Sequence, residues 1–415
     1  MVASGTLRYG VVVTPMPHES DREYLVGDEL GACRPLVPYA SLACSFLGEL
    51  SQELRADQSA SVYPDIMAFA FWCRTAHIES LRTEFREAGS GQQTRMGLGR
   101  VFHIAPSNVP INFAFSFAFG LLAGNANVVR VPSKPYPQVD IICNVIRAVL
   151  AHDRFAELRA MTTFVRYGHN DSITGAYSAA CNARIIWGGD VTIQSIRKLP
   201  IPERGVDIAF ADRYSFGILG APAVLALDGA ELVRLAELFY NDTYLMDQNA
   251  CSSPHLIVWQ GDQASAAKSR FWAAVGRVAE KKYNLQPVHA VDKLTHLCQD
   301  AIDRPAVTGF SKYANYVYCI RLQRLPPKID DLRGRFGYFY EYDAVSLDEL
   351  APIINERFQT LTYFGVDKQT LLDFVVTQRL SGIDRIVPVG SALDITVIWD
   401  GYDIVRKLSR LIETK

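Results

Sequence analysis

The stretch Gly99–Ser133, "GRVFHIAPSNVPINFAFSFAFGLLAGNANVVRVPS", reads as strand, turn, apolar helix and strand in succession. "GRVFHIAPS" is a short β-rich run that ends in Pro-Ser, and "VPINFAFSFAFGLLAG" is a helix closed by Gly124. "NANVVRVPS" is the next strand. The same grammar continues through a helix, "PQVDIICNVIRAVLAH", and a strand, "MTTFVRYG". After them come "NDSITGAYSAACN" (helix), "ARIIWGG" (strand) and "DVTIQSIRKL" (helix). Strands and helices that alternate across short turns predict a parallel sheet covered on both faces. Such sheets bind ligands beyond the carboxyl ends of their strands. The fold class expected is therefore α/β.

Upstream, "YGVVVTP" reads as an opening strand. "PYASLACSFLGELSQEL" and "MAFAFWCRTAHIESLRTEFREA" carry helical periodicity, and Gly89-Ser90-Gly91 closes that block. Downstream, "YSFGILG" is a strand. A second block then begins with one long helix, "AVLALDGAELVRLAELFYND", followed by a cysteine-bearing segment and by further strands and helices. The expected organisation is a cofactor domain over residues 1–225 and a catalytic domain over 226–385. A C-terminal segment, 386–415, would return to the cofactor domain or to a partner subunit.

Composition narrows the class. Of 415 residues 49% are hydrophobic and 21% charged, as in an ordinary globular chain, and the net charge of −2 offers no footprint for nucleic acid. The longest apolar segment, 109–123, is interrupted by Asn112 and Ser116 and is too short to span a bilayer. The start, "MVASGTLRYGVVV", lacks the pattern of a signal peptide. Eight cysteines are scattered with no metal-type spacing, which argues against a metal site and for a reducing cytoplasm. Most of those thiols, and His103 in its apolar strand, read as core residues.

Several residues can carry chemistry. Gly168 and His169 follow one strand, and Gly188 and Gly189 follow the next; each turn suits either a plain strand-to-helix connection or a dinucleotide at a helix N-terminus. Asn108, in "PSNVP", suits either a helix cap or an oxyanion donor. Cys251, in "DQNACSSP", is either an inert thiol or a nucleophile.

These segments together resemble a family. "IAPSNVPINFAFSFAFGLLAGNANVVRVPSK" and "DQNACSSP" are similar to the aldehyde dehydrogenase superfamily. "FADRYSFGIL", "QTLTYFG" and "RIVPVGSALDITVIWDGYDIVRKLSRLIE" resemble the fatty acyl-CoA reductases of bacterial luminescence (LuxC-like). The resemblance implies an aldehyde-dehydrogenase-like fold, with a Rossmann-type cofactor domain and an α/β catalytic domain. It makes Cys251 the nucleophile that accepts an acyl group as a thioester, with some activation of its thiol expected, and Asn108 the oxyanion donor. Tyr214, Gln248 and His255 become candidates to line the substrate site, and Phe336, in "GRFG", a candidate neighbour of the nicotinamide.

Two departures from the superfamily pattern matter. Oxidising members carry a glutamate in E-L-G-G-K that activates water, whereas "ADRYSFGIL" has none. Without that base, reduction of a thioester is favoured over formation of an acid. The superfamily's V-x-K-P-x-E segment reads here as "VVRVPSK", with Arg130 at the lysine position, Ser133 at the glutamate position and Lys134 beside it. Losing an anion while keeping two cations favours NADPH over NADH. The reaction expected is reduction of an acyl-CoA or acyl-protein thioester to an aldehyde, by a homo-oligomer that works beside an acyl-protein synthetase. The alternatives are an NAD(P)-dependent aldehyde dehydrogenase running to the acid or acyl-CoA, and a non-catalytic acyl-binding subunit of a synthetase complex. The ending "WDGYDIVRKLSRLIE" reads as a packing segment.

Overall fold

The computed structural model describes residues 22–31, 33–88, 94–106 and 109–414. The expected opening strand, the Gly89-Ser90-Gly91 stop and Asn108 lie outside the described residues. The chain forms two compact units. One ends at Ala211 and resumes at Asp403, and the other is Asp212–Tyr402.

The first unit is built on β1 (Glu23–Val26), β2 (Thr94–Gly97), β3 (Arg100–Ile104), β4 (Ala126–Arg130), β5 (Thr162–Arg166), β6 (Ala183–Trp187) and β7 (Val206–Phe210). Six of them form one sheet in the order β1-β5-β4-β3-β6-β7, parallel except for β1. The chain runs outward from β3 through β4 to β5, then returns to the other side of β3 for β6 and β7. The topological switch point lies between β3 and β6, and the crevice there is where such sheets hold ligands. Helix Asn112–Leu122 is buried along its whole length from Phe113 on, as its unbroken apolar sequence requires. His103 is a satisfied core histidine. Its ring bonds Ser116 Oγ at 2.8 Å and Asn127 Oδ1 at 3.0 Å, and burial pushes its pKa down to about 4. The upstream stretch read as one helix over 67–88 is two, Pro64–Trp72 and Thr75–Glu87, broken at Cys73 and Arg74.

The second unit contains β8 (Tyr214–Gly220), β9 (Pro254–Gln260), β10 (Val307–Tyr313), β11 (Val317–Leu322), β12 (Tyr338–Ala344), β13 (Phe358–Phe364) and β14 (Arg385–Pro388). Their order is β10-β11-β12-β9-β8-β13-β14, parallel apart from the β10–β11 hairpin. β8 is buried at every position, as a central strand of a parallel sheet must be. Tyr214, Phe216 and Ile218 pack into the core on one face, and Leu219 with Ile257 and Trp259 into the core on the other. β8 pairs with β9 and β13, so the division of the chain falls ahead of it, at residue 211 rather than 225. The long helix expected over 223–242 is also two, Ala221–Ala226 and Gly229–Thr243. Asp228 starts the second through a reciprocal capping box with Glu231. Two short strands, β15 (Ile398–Trp399) and β16 (Tyr402–Asp403), form a ribbon. From Asp403 the chain belongs to the first unit, where β17 (Ser409–Ile412) pairs antiparallel with β2.

Candidate active site around Cys251

Helix Gly229–Thr243 runs out into a single turn, and the chain then reverses through two left-handed residues, Asp247 (φ 52°) and Gln248 (φ 61°). The Gln248 N–H donates to the Thr243 carbonyl at 2.7 Å, closing the helix in the manner of a left-handed C-cap. Its side chain is 1% exposed and all four of its hydrogen-bonding positions are used. Nε2 donates to the carbonyls of Pro254 (3.1 Å) and Tyr338 (3.0 Å), and Oε1 accepts from the N–H groups of Gly337 and Tyr338, both at 3.2 Å. Gln248 is thus a buried clamp between the cysteine loop and the start of β12. This corrects its expected role, because an amide spent on four backbone groups has nothing left to offer a substrate.

The loop carries Cys251 to the mouth of β9. The Cys251 carbonyl accepts from Ser215 Oγ at 2.7 Å, and Ser215 Oγ in turn accepts from the Thr360 N–H at 3.1 Å. Behind the loop, Ser253 Oγ donates to the Asp242 carbonyl at 2.7 Å. The Asp242 carboxylate accepts from the N–H groups of Gly390 (2.6 Å) and Ala392 (2.9 Å). The thiol is half-buried, and the Gln359 amide Nε2 lies 3.4 Å from Sγ. Burial pushes the Cys251 pKa up to about 11, with the Asp400 carboxylate adding to the rise and the Gln359 hydrogen bond opposing it. The expected activation of the free thiol is therefore absent: this unit holds it protonated at neutral pH. Five other cysteines, Cys44, Cys73, Cys143, Cys181 and Cys319, are buried.

Tyr214 and His255 both lie in the interior of the second unit, the first fully buried and the second 3% exposed. Their rings stack at 5.5 Å, and Arg333 sits 5.9 Å over the Tyr214 ring. His255 donates to the Gly334 carbonyl, and burial, with Arg333 nearby, drives its pKa down to about 3, so it is neutral. Asp212 pairs with Arg333 at 2.8 Å, and Arg213 pairs with Asp384 at 2.6 Å and Asp400 at 3.5 Å. Phe336 (φ 58°) stacks on His289 at 3.7 Å, and its carbonyl accepts from Lys293 Nζ at 2.7 Å.

The first unit gathers the other candidates at the carboxyl ends of its strands. Arg130 ends β4; its Nη2 donates to the Gly168 carbonyl at 3.0 Å, and its guanidinium lies 4.5 Å over the Tyr167 ring. Ser133 and Lys134 are exposed just beyond it, and Lys134 Nζ sits 5.2 Å over the Tyr136 ring. Gly168 and His169 are exposed after β5. Gly188 and Gly189 follow β6, beside the switch point. A Cβ at Gly168 or Gly189 would meet open space. The Asn170 side chain caps the helix Asp171–Ala179, but helix Asp190–Arg197 starts at Gly189 without a side-chain cap. Its first N–H groups are left for an anion, although Asp190 in the first turn already answers part of the dipole. Open glycines, an uncapped helix start and a strand-order switch fit a nicotinamide dinucleotide. Among the described residues no cluster of His, Cys, Asp and Glu could hold a metal ion, and no helix is long and apolar enough to cross a membrane.

Sequence reasoning missed Ser215, Gln359 and Asp400. The family-like segments "QTLTYFG" and "WDGY" contained the last two without suggesting their chemistry. The Asp-Gly pair at 400–401 was the available signal, since it marks a tight hairpin turn.

A family model for acyl-CoA reductase (LuxC) matches residues 77–297. Among solved structures, aldehyde dehydrogenase 21 from Physcomitrella patens, bound to its product succinate, is 11% identical with a TM-score of 0.62, over 89% of this chain and 85% of that one. A variant of 1-pyrroline-5-carboxylate dehydrogenase from Thermus thermophilus is 12% identical with a TM-score of 0.60, over 89% and 80%. An NAD-dependent benzaldehyde dehydrogenase from Corynebacterium glutamicum is 11% identical with a TM-score of 0.58, over 97% and 100%. At such identities the likeness is one of fold, and the fold is that of aldehyde dehydrogenases. No curated protein sequence matches the chain.

The clamp makes a testable claim. Gln248→Leu keeps most of the volume but strands two N–H groups and two carbonyls in the interior, so urea unfolding is expected to show a loss of about 2–4 kcal/mol. A variant as stable as the wild type contradicts the clamp.

Proposed function

Given that this chain belongs to the acyl-CoA reductase (LuxC) family, we propose that it reduces an acyl thioester to an aldehyde through a Cys251 acyl-enzyme, with hydride from NADPH. At the coarser level it is an oxidoreductase that acts on acyl or aldehyde groups. The observation that carries the finer reading is the setting of Cys251: a half-buried thiol fixed at the mouth of β9, whose hydrogen-bond partner is a neutral amide and not a carboxylate.

Sγ attacks the carbonyl carbon of the thioester, the bond to the donor's sulfur breaks, and the proton shed by Cys251 balances the charge of the departing thiolate. Because the free thiol is held protonated, this deprotonation belongs to the bound complex. Asn108 is the proposed oxyanion donor. A bound reduced nicotinamide supplies the hydride that lowers the acyl carbon to the aldehyde level. The carbon then parts from Sγ, and Cys251 takes back a proton. The segment "ADRYSFGIL" lacks the glutamate by which oxidising members of the superfamily activate water, so in this reading water near the acyl group has no general base there and the thioester persists until it is reduced. The donor is an acyl-CoA or an acyl-protein thioester, and an acyl-protein synthetase is the proposed partner of a homo-oligomer.

Incubation with acyl-CoA in the absence of nucleotide should add one acyl group to the intact mass, and Cys251→Ser should abolish that adduct. An unchanged adduct in the variant would remove Cys251 from the mechanism.

NADPH is the preferred cofactor in this reading because Arg130 and Lys134 stand on either side of Ser133, an exposed position that carries a hydroxyl and no carboxylate. Arg130 also spends one N–H on Gly168, which leaves others for a phosphate. Ser133→Glu should shift the ratio of kcat/KM values towards NADH by roughly ten- to a hundredfold, the worth of one partly exposed charged contact. A wild type that already prefers NADH, or a ratio untouched by the substitution, would refute the assignment.

A further inference from the structure

Asp400 is an odd neighbour for a nucleophilic thiol. It occupies the turn between β15 and β16, with Asp400 (φ 48°) and Gly401 (φ 73°) both left-handed, as a two-residue Asp-Gly hairpin turn requires. Hairpin turns are ordinarily solvated, yet Asp400 is only 7% exposed. The turn is seated closely: a Cβ on Gly401 would stand 2.8 Å from Asp384 Oδ1. Asp384 is held by Arg213 at 2.6 Å, and the Arg213 Nε faces the second Asp400 oxygen at 3.5 Å. The first Asp400 oxygen accepts a hydrogen bond from Gln359 Nε2.

Charge alone argues against this arrangement, since an anion near Sγ opposes ionisation of the thiol. Hydrogen-bond direction supplies a reason for it. Gln359 is fully buried, and its amide could be inserted in either of two orientations. With Oε1 turned towards Cys251, a lone pair would oppose negative charge on sulfur. With Nε2 turned towards it, an N–H supports that charge. An ionised carboxylate can only accept, so Asp400 selects Nε2 on its side. On the far side, Thr360 Oγ1 donates to Gln359 Oε1 at 3.3 Å, but a hydroxyl can equally accept, so the choice of orientation falls to Asp400. The second hydrogen of Nε2 is then the one directed at Cys251 Sγ, 3.4 Å away.

We infer that Asp400 is a positioning residue that locks the Gln359 amide with its N–H towards Cys251, and that Gln359 is the donor that supports negative charge on this sulfur as the thiolate forms and again as it leaves. The inference rests on Cys251 being the acylated nucleophile. Sulfur carries negative charge twice in that cycle: before its bond to the acyl carbon forms, and after that bond breaks to free the aldehyde. In between, as a thioester, it is neutral and needs the donor least, so the amide favours the charged ends of the cycle over its middle.

The test turns on sign. Removing an anion beside a thiol should, on charge alone, speed its reaction with iodoacetamide. Asp400→Gly removes the carboxylate without straining a left-handed position. Positioning predicts the opposite outcome, a Cys251 alkylation rate slower by roughly ten- to a hundredfold, because the amide is free to turn its oxygen to the sulfur. Asp400→Asn is left with one acceptor oxygen, which the Arg213 guanidinium claims, so its NH2 turns to Gln359 and the variant should be as slow as Asp400→Gly. Gln359→Leu should be as slow as Asp400→Gly, and the double variant no slower than either, since both act through one hydrogen bond. Rates are read by peptide mass spectrometry, with the exposed Cys298 as internal standard and thermal unfolding as the check on folding. If Asp400→Gly does not fold, Asp400→Asn, slow for the same reason, carries the test in its place. Alkylation in Asp400→Gly at or above the wild-type rate, a Gln359→Leu variant that reacts like wild type, or additive losses in the double variant would overturn the inference. A wild type that takes no acyl group at Cys251 would remove the nucleophile reading and leave the alkylation comparison intact, so the two failures are distinguishable.

Discussion

The Gln248 amide joins two turns that sequence separates by 90 residues. The cysteine loop and the entry to β12 would otherwise each present unpaired backbone groups to a buried space, and four hydrogen bonds from one side chain satisfy both. The left-handed backbone at Asp247 and Gln248 is tolerated because this bonding over-determines it. Everything downstream depends on that constraint. It sets where β9 begins and so holds Cys251 just ahead of that central strand, where Ser215 fixes its carbonyl and Gln359 reaches its sulfur.

The electrostatics around the thiol then follow from packing. Burial and Asp400 keep Sγ protonated at rest. In the proposed reaction the same carboxylate-bearing but indirectly connected setting favours acyl transfer over hydrolysis. Asp400 is bonded to Gln359 and faces Arg213, so its oxygens are engaged elsewhere and not on water beside the acyl carbon. A side chain that raises the barrier to forming the thiolate can therefore belong to a site that handles thioesters, provided that its hydrogen bond to Gln359 fixes a donor at the sulfur.

Local pattern was enough for the parallel sheets, because strands buried on both faces are written as short apolar runs between turns. It could not decide which sheet β8 joins. "YSFGILG" looks the same at the end of one sheet or in the middle of the next, and only its pairing with β9 and β13 moves the division to residue 211. The break in the helix before the cysteine was legible in Asp228 and Glu231 but was overridden by the apolar periodicity on either side. Gln359 and Asp400 were beyond reach for a different reason. Gln359 lies 108 residues from Cys251 and 41 from Asp400, and nothing local says that a polar strand residue faces a thiol. The raised pKa of Cys251 has the same origin, since burial is a sum over the whole unit. Gln248 became a substrate-lining candidate through resemblance alone, and resemblance is silent on whether an amide is already spent on the backbone.

The central claim is that the acyl-enzyme waits for hydride and not for water. The direct measurement is a partition experiment: acylate the protein with radiolabelled acyl-CoA, remove the excess by gel filtration, and divide the acyl-enzyme between buffer alone and buffer with NADPH. The account predicts that label stays on Cys251 in buffer through many turnover times and leaves as aldehyde when NADPH is added. Release as free acid at the same rate in both halves would contradict it.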